Sequence, residues 1–259
     1  MFSMLTLQQS LREIEAYPLP VVCRVSDYPL NAIIDPHTHS KHQLVYAMQG
    51  VMVVQTEAGV WVVPPTRAIW MPAGMKHWIR CIGTVLMRSL FVTPDAAVDL
   101  PQTSQAVGIS PLLRELIRAA AEVELPYTPK SRDGRLMRLL LDELHALPVL
   151  PLHLPQPADP RLQKICTQLQ NAPDDVSTLT DWAEQLGVDV KTIQRLFARD
   201  TGMTFGQWRQ QARLLHGLER LAQGERVLDV ALALGYESPS AFAAMFKRQF
   251  GQTPSQFFS

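Results

Sequence analysis

The chain has 259 residues, enough for two domains of ordinary size, and 47% of them are hydrophobic, enough for two cores. Its 24 basic and 24 acidic residues balance, so overall charge gives no support to nucleic-acid binding, and any basic surface must be local. Three widely spaced cysteines exclude a disulfide framework and a CxxC metal site, and we expect neither a signal peptide nor a membrane span. These features predict a cytoplasmic protein.

Residues 20–95 are rich in β-branched and aromatic residues, interrupted at short intervals by glycine and proline. This pattern predicts an all-β sandwich or barrel. The expected strands cover residues 43–49, 51–57, 59–63, 68–71, 77–82 and 85–92.

Two histidine motifs lie in this region, HTHSKHQLVYAMQG from residue 37 and PAGMKH from residue 72. His37 and His39 are two residues apart, so on a strand they share one face. The motifs resemble HxHxxxE-x6-G and PxGxxH of the cupin barrel. The resemblance implies that His37, His39 and His77 converge, with Gln43 where a glutamate is usual.

Three neutral imidazoles suit a divalent transition metal such as Zn, Fe, Ni or Cu. Gln43 weakens that interpretation, because an amide oxygen replaces a charged carboxylate. The alternative is a metal-free pocket that uses the same side chains. We expect His42 at a solvated strand edge, and we expect most of the large aromatic side chains in the core, with two at most touching a ligand: Tyr46, Trp61, Trp70 and Trp78.

Two helices should follow the strands. Ser110 and Pro111 suit the cap and first position of one helix, with Leu113, Leu116, Ile117 and Ala120 as its buried stripe. The second helix, at about residues 132–146, has a wide apolar face that is hard to bury on one barrel alone. That face consists of Leu136, Met137, Leu139, Leu140, Leu141 and Leu144. The helix can pack against its own barrel only, or it can also pair with the same helix of a second subunit.

Five prolines between residues 148 and 160 favour an extended, semi-rigid spacer. We therefore expect a first domain at residues 1–147, a linker at 148–160 and a second domain at 161–259. His153, in the linker, should be solvated.

The second domain contains a repeated helix–glycine–helix pattern. In the first copy, Thr178 and Asp181 form a capping-box pair, Gly187 ends one helix and Asp189 caps the next. Ile193, Leu196 and Phe197 should face inward in that second helix. Its outward face carries Lys191, Thr192, Gln194, Arg195 and Arg199.

The second copy lies about 48 residues downstream. Gly235 ends its first helix, and Ser238 with Pro239 begins the next. Phe242, Met245, Phe246 and Phe250 should be buried there, and Ser240, Ala243, Ala244 and Lys247 should face outward. A helix at about residues 205–223, roughly 28 Å long, connects the copies and can hold them in adjacent major grooves.

The two stretches AEQLGVDVKTIQRLFARDTG and ALALGYESPSAFAAMFKRQFGQTPSQF resemble the two helix-turn-helix units of the AraC/XylS family of transcription regulators. The resemblance covers about residues 160–258. It implies an α+β chain: a cupin-like β-barrel with dimerisation helices, followed by an all-α domain of two helix-turn-helix units joined by a long helix. It also implies no enzymatic activity, and double-stranded DNA as partner.

The resemblance assigns the DNA contacts to both outward faces: Lys191, Thr192, Gln194, Arg195, Arg199, Ser238, Ser240, Ala243, Ala244 and Lys247. It also implies a small effector in the barrel pocket formed by His37, His39, Gln43, Tyr46 and His77. It further implies a homodimer through the helix around Leu136, Leu140 and Leu144. RNA polymerase is the candidate protein partner.

The sensor also resembles a subgroup of short family members that control neighbouring efflux-transporter genes, including a nitroimidazole-efflux regulator. Repression and activation both stay open. Two other functions stay open as well. One is a metal-dependent cupin oxygenase or isomerase, and the other is a metal sensor with the ion at His37, His39 and His77.

Overall fold

The computed structural model describes residues 4–65, 67–150 and 153–257. They form two compact units: the described residues up to 57 with 61–150, and residues 58–60 with 153–257. The boundaries expected at residues 147 and 160 stay a prediction. No helix in the described ranges is long and apolar enough to cross a membrane.

The first unit begins with helix α1 (Met4–Ala16) and continues as an antiparallel sheet. Its strands are β1 (Val21–Tyr28), β2 (Ile33–His37), β3 (His42–Thr56), residues 61–63 of β4 (Gly59–Val63), β5 (Arg67–Met71), β6 (His77–Val92), β7 (Gln105–Gly108) and β8 (Val149–Leu150). The order is β1–β6–β3–β5–β7–β8, with β2 beside β6 and β4 beside β3. Helices α2 (Pro111–Ala120) and α3 (Arg132–Leu144) separate β7 from β8. The predicted cupin-like fold is confirmed.

Four of the predicted strands are joined in pairs, so that they form two long, bent strands. Residues 43–49 and 51–57 belong to β3, while 77–82 and 85–92 belong to β6. Gly50 and Gly83 adopt φ of +82° and +74°, and the β3–β6 register shifts around Gln49. The glycines therefore bend the strands without ending them, as bulges do.

The sequence prediction missed α1, β1, β2 and β7. Strand β1 pairs with β6 over its whole length, from Val21 opposite Val92 to Tyr28 opposite Val85. Its middle is half-exposed and polar, so it lacks the hydrophobic run that marked the other strands.

Helices α2 and α3 pack in the core of the first unit. The Ser110 hydroxyl accepts a hydrogen bond from the Leu113 amide, and Pro111 occupies the first helical position, as predicted. Leu113, Ile117, Leu140 and Leu144 are buried. The expectation that Leu140 and Leu144 form a dimer face is therefore wrong, because both side chains lie in the core of their own unit.

The proline-rich segment contains two short strands. Residues 149–150 form the edge strand β8 beside β7, which tolerates the nearby prolines because only one side of an edge strand is paired. Strand β9 (His153–Pro155) opens the second unit. His153 is not simply solvated, since its Nε2 lies 3.3 Å from the carbonyl oxygen of Ala58.

The second unit is helical after β9. Its helices are α4 (Pro160–Asn171), α5 (Leu179–Leu186), α6 (Val190–Thr201), α7 (Phe205–Ala222), α8 (Val227–Ala233), α9 (Pro239–Phe250) and α10 (Pro254–Phe257). Helices α5 and α6 form the first predicted helix-turn-helix, α8 and α9 form the second, and α7 connects them. Helix α4 is the element that the sequence prediction left out.

Candidate DNA-reading helices and a buried histidine cluster

The first helix-turn-helix begins with the predicted capping box, in which Thr178 and Asp181 satisfy each other's backbone amides. Gly187 ends α5 in the left-handed region, with φ of +64°. The Asp189 carboxylate then accepts from the Thr192 amide at 2.9 Å. These contacts fix the turn that orients α6.

Helix α6 buries Ile193, Leu196 and Phe197, as predicted. Lys191, Gln194 and Arg195 are exposed, so their polar groups are available for a ligand. Two predicted contacts are already engaged. The Thr192 hydroxyl donates to Asp189 at 2.8 Å, and the Arg199 guanidinium lies 2.6 Å from an Asp200 carboxylate oxygen.

Helix α9 is capped by the Ser238 hydroxyl, which accepts from the Ala241 amide at 3.2 Å. Its buried face is the predicted one, of Phe242, Met245, Phe246 and Phe250. Exposed along the other side are Ser240, Ala241, Ala244, Lys247 and Arg248.

The sequence prediction placed Ala243 on this face, but its side chain is half-buried. The predicted set of DNA contacts left out Ala241 and Arg248. Positions 240, 244, 247 and 248 follow i, i+4, i+7 and i+8 spacing, so helical periodicity alone places Arg248 on this face.

Helix α7 keeps the predicted length, with 18 residues. Its Arg209 and Arg213 are half-buried and bind backbone carbonyls of the loop between α4 and α5. Arg209 donates to Ser177 at 3.1 Å, and Arg213 donates to Pro173 at 2.6 Å and to Asp175 at 3.0 Å. The loop is thereby held against the connector helix.

In the first unit, the three predicted histidines converge. The ring centroids of His37 and His77 are 4.3 Å apart, those of His39 and His77 5.1 Å, and those of His37 and His39 6.1 Å. One ring nitrogen of each lies within 4.8 Å of those of the others. The three ring nitrogens are therefore close enough to ligate one ion.

Each imidazole is oriented through Nδ1. Those atoms lie 2.8 Å from the Asp35 carbonyl oxygen for His37, 2.5 Å from that of Lys41 for His39, and 3.0 Å from that of Met75 for His77. A carbonyl only accepts, so Nδ1 carries the hydrogen and Nε2 carries the lone pair. Backbone partners of this kind fix the tautomer of metal-ligating histidines.

The His77 Nε2 atom is buried and has no hydrogen-bond partner in the described part of the chain. Burial lowers the pKa of all three imidazoles, and it brings that of His77 to about 3, helped by the adjacent His37 ring. The cluster therefore presents neutral imidazoles at physiological pH, the form that binds metals.

The side-chain oxygen of Gln43 contacts a ring nitrogen of His39 that is itself an acceptor. Its Oε1 lies 2.9 Å from the His39 Nε2, while its Nε2 donates to the Ser89 hydroxyl at 3.0 Å. With the lone pair on the His39 Nε2, two acceptors face each other. A cation between them or a half-turn of the amide relieves this contact.

Two side chains near the cluster differ from the prediction. Tyr46 lies three residues from Gln43 on β3 and so faces the other side of the strand, in the core formed with Leu113 and Ile117. It therefore does not line the histidine cluster. His42 is buried at a ring distance of 5.2 Å from Trp70, and its Nδ1 accepts from the Ala73 amide, so it is not a solvated edge residue.

Helix α1 is attached beside the cluster by residues of the histidine motif. The buried Lys41 ammonium donates to the carbonyls of Ile14, at 3.1 Å, and Tyr17, at 2.7 Å. The Ser40 amide donates to the Glu15 carboxylate at 2.5 Å. No local pattern indicates these contacts, because α1 itself was not predicted.

Comparisons with known proteins match both units. Residues 19–185 match the model of an AraC-like ligand binding domain, and residues 182–259 match that of a helix-turn-helix domain. The chain is 36% identical over 221 residues to the HTH-type transcriptional regulator NimR of Escherichia coli K12, covering 85% of this chain and 81% of that protein.

A more distant relative is the HTH-type transcriptional activator RhaR of Klebsiella pneumoniae, 22% identical over 270 residues and 95% of each chain. Among solved structures, ToxT from Vibrio cholerae is similar over 92% of this chain and 98% of that chain, at 10% identity and a TM-score of 0.39.

A ligand-binding β domain followed by two helix-turn-helix units defines a DNA-binding transcription regulator with an effector domain. The chain belongs to the AraC family of these regulators.

Proposed function

We propose that α6 and α9 enter adjacent major grooves of one operator. The observation that carries this proposal is the exposed polar face of α6, where Lys191, Gln194 and Arg195 project from a buried aliphatic and aromatic base. Glutamine pairs bidentately with adenine, and arginine with guanine. The long helix α7 supports the spacing, since 18 residues extend about 27 Å at 1.5 Å each, against roughly 34 Å between successive grooves.

The second reading helix offers less sequence information. Ala241 and Ala244 provide only methyl groups, which can contact thymine, while Ser240 and Lys247 can reach bases or phosphates. We therefore assign most base discrimination to α6. Four predicted contacts become secondary. Thr192 and Ser238 are engaged at helix caps, Arg199 is engaged in an ion pair, and Ala243 is half-buried.

The target is proposed to be a neighbouring transporter or metabolic gene, in line with the resemblance of the sensor to regulators of that kind. Footprinting of the purified chain on DNA flanking its own gene tests this. Protection of a defined site there, at a salt concentration where unrelated DNA stays unprotected, is the expected result. Uniform weak protection everywhere would contradict it.

A second proposal concerns the signal. The histidine cluster supports a divalent transition metal, bound through the Nε2 atoms of His37, His39 and His77 with the Gln43 oxygen as a weaker fourth donor. The observation that favours it is the buried, unpartnered His77 Nε2 within the described residues. Such an ion would act as the effector itself or as part of the effector site, and a metal-dependent enzyme stays the less supported alternative.

Elemental analysis of the full chain, purified without chelator or affinity-tag metal, tests the metal proposal. We expect about one equivalent of metal in the wild type and a large loss in His77→Ala. The exposed His145→Ala is the matched control and should keep its metal. An organic-effector site that needs no ion would instead show no metal in any of the three proteins.

We also propose a homodimer through the outer side of α2 and α3. Leu112 and Leu139 are 50% and 44% exposed on these two packed helices. They replace the buried Leu140 and Leu144 as the apolar contact surface. RNA polymerase is proposed as a further partner, and a cytoplasmic location fits a regulator that acts on DNA.

A further inference from the structure

A cleft of about 440 Å³ opens in the second unit between α7 and α9. Its charged lining consists of Arg209 and Arg213 from α7 and Arg248 from α9, and no carboxylate lines it. The second half of the chain carries 11 basic and 11 acidic residues between positions 156 and 259, so three arginines in one cleft are a local excess. Cationic clefts without acidic lining attract anions.

The three guanidinium groups keep their charge available. Arg209 and Arg213 donate hydrogen bonds to carbonyl oxygens, and Arg209 also lies over the Phe205 ring at 5.0 Å, but neither forms an ion pair with another described residue. Arg248 is exposed and forms no ion pair with another described residue. Burial and repulsion from Arg209 lower the pKa of Arg213, while Tyr236, Asp174 and Asp175 act in the opposite direction. A bound anion would offset the burial and the repulsion between the two arginines.

The cleft is continuous with the exposed face of α9. Ala241 and Ala244 belong to both, and Lys247 and Arg248 follow Ala244 at the next turn. On the α7 side, the space beside Gly206 is open, since a Cβ there would meet nothing within 4 Å. A ligand held beside α9 can therefore reach Arg248 and the α7 arginines without displacing a large side chain.

We propose that this cleft binds a phosphodiester of the operator backbone beside the groove that α9 enters, with Arg248 and Arg209 as the principal donors. The proposal rests on the DNA-reading function proposed above. Guanidinium groups match phosphate oxygens with paired N–H donors. Phosphate contacts position a protein on DNA without reading sequence. This contact would supply the affinity that the alanine-rich face of α9 lacks.

The test is the salt dependence of DNA binding by the full-length chain. Kd is measured for the protected duplex and for a scrambled duplex of the same composition, at several salt concentrations, with wild type and Arg248→Ala. We expect Arg248→Ala to weaken both by a similar factor and to make the slope of log K against log salt shallower by about 1. Lys164→Ala, which removes an exposed cation of α4 outside the cleft, is the matched control and should leave the slope unchanged.

Other outcomes overturn the proposal. A loss confined to the protected duplex would make Arg248 a base reader. An unchanged slope together with reduced transcription in a purified polymerase assay would assign the cleft to an acidic protein surface. If the wild type binds no duplex preferentially, the proposed DNA-reading function fails first. If it does, and Arg248→Ala matches Lys164→Ala, only the phosphate site fails.

Discussion

Arg195 and Arg199 lie on the same helix but differ in their partners. Comparing them shows whether an existing ion pair reduces an arginine's part in DNA binding. Arg195 is exposed, whereas Arg199 is paired to Asp200 at 2.6 Å. We expect Arg195→Ala to weaken specific binding by about 1–3 kcal/mol, the range for a bidentate base contact, and Arg199→Ala to have a smaller effect. Operator titrations at matched salt measure both. Equal losses on operator and unrelated DNA would reassign Arg195 to the backbone.

The cysteines provide a second residue-scale prediction. Burial raises the pKa of the Cys23 and Cys166 thiols to about 12 and that of Cys81 to about 11. Only the thiolate is a good nucleophile, so all three should resist alkylation in the folded chain at mildly alkaline pH. Mass spectrometry after iodoacetamide treatment, with and without denaturant, measures this. Rapid labelling of any of them in native protein would show that its site opens to solvent.

Residue spacing predicted the histidine cluster itself, but it did not predict the side chains around the cluster. The i, i+2 pair and the cupin-like motifs placed His37, His39 and His77 together, which the ring distances match. The same strand rule, applied to Gln43 and Tyr46, would have separated them. The buried state of His42 depends on Trp70, which is 28 positions away, and no local pattern reveals such a contact.

At the scale of elements, the two bent strands depend on single glycines. Gly83→Ala places a side chain at φ of +74° with nothing within 4 Å, so it should cost only the backbone strain, roughly 1–2 kcal/mol. Gly50→Ala adds contact of the new Cβ with the Thr84 carbonyl and should cost distinctly more. Urea unfolding of the two variants measures the difference. Equal losses would mean that the strands separate easily at this bulge.

The helical elements were more predictable than the strands for a physical reason. Caps and helix-ending glycines are local, so Thr178, Gly187, Asp189 and Ser238 could be assigned from neighbouring residues alone. Strand bounds depend on partners far along the chain, so β1 became visible only beside β6.

Arg213 connects elements of both helix-turn-helix units. It binds the loop before α5 through two carbonyls, and a Cβ on Gly235, in the turn before α9, would lie 3.3 Å from its Nη2. Arg213→Lys keeps the charge but loses the planar pair of donors. We expect about 1–3 kcal/mol of destabilisation and weaker binding to the operator, since the two reading helices lose their fixed spacing.

Binding to operators with inserted or deleted base pairs between the half-sites separates these two effects. The wild type should tolerate few changes in spacing, and Arg213→Lys should tolerate more. If the variant loses stability but keeps the wild-type preference, Arg213 stabilises the fold without setting the spacing.

At the scale of the whole molecule, a chain without net charge cannot rely on long-range electrostatic attraction to bind DNA. Its formal net charge is zero, so long-range steering is weak and affinity must come from local cations and from the number of units engaged. A dimer doubles the reading units from two to four. Joining binding units in this way raises affinity through effective concentration, without any new contact.

The homodimer is tested at Leu112 and Leu139, the exposed leucines of α2 and α3. A charge at either position would be buried at an apolar interface, so Leu112→Asp and Leu139→Asp should shift sedimentation at micromolar concentration from dimer to monomer. Val98→Asp, at a position 73% exposed and outside both helices, is the matched control and should stay dimeric. The monomeric variants should also lose operator affinity by roughly a hundredfold, while each unit keeps its fold. A wild type that sediments as a monomer would contradict the dimer. Variants that stay dimeric would place the interface on another face of the first unit.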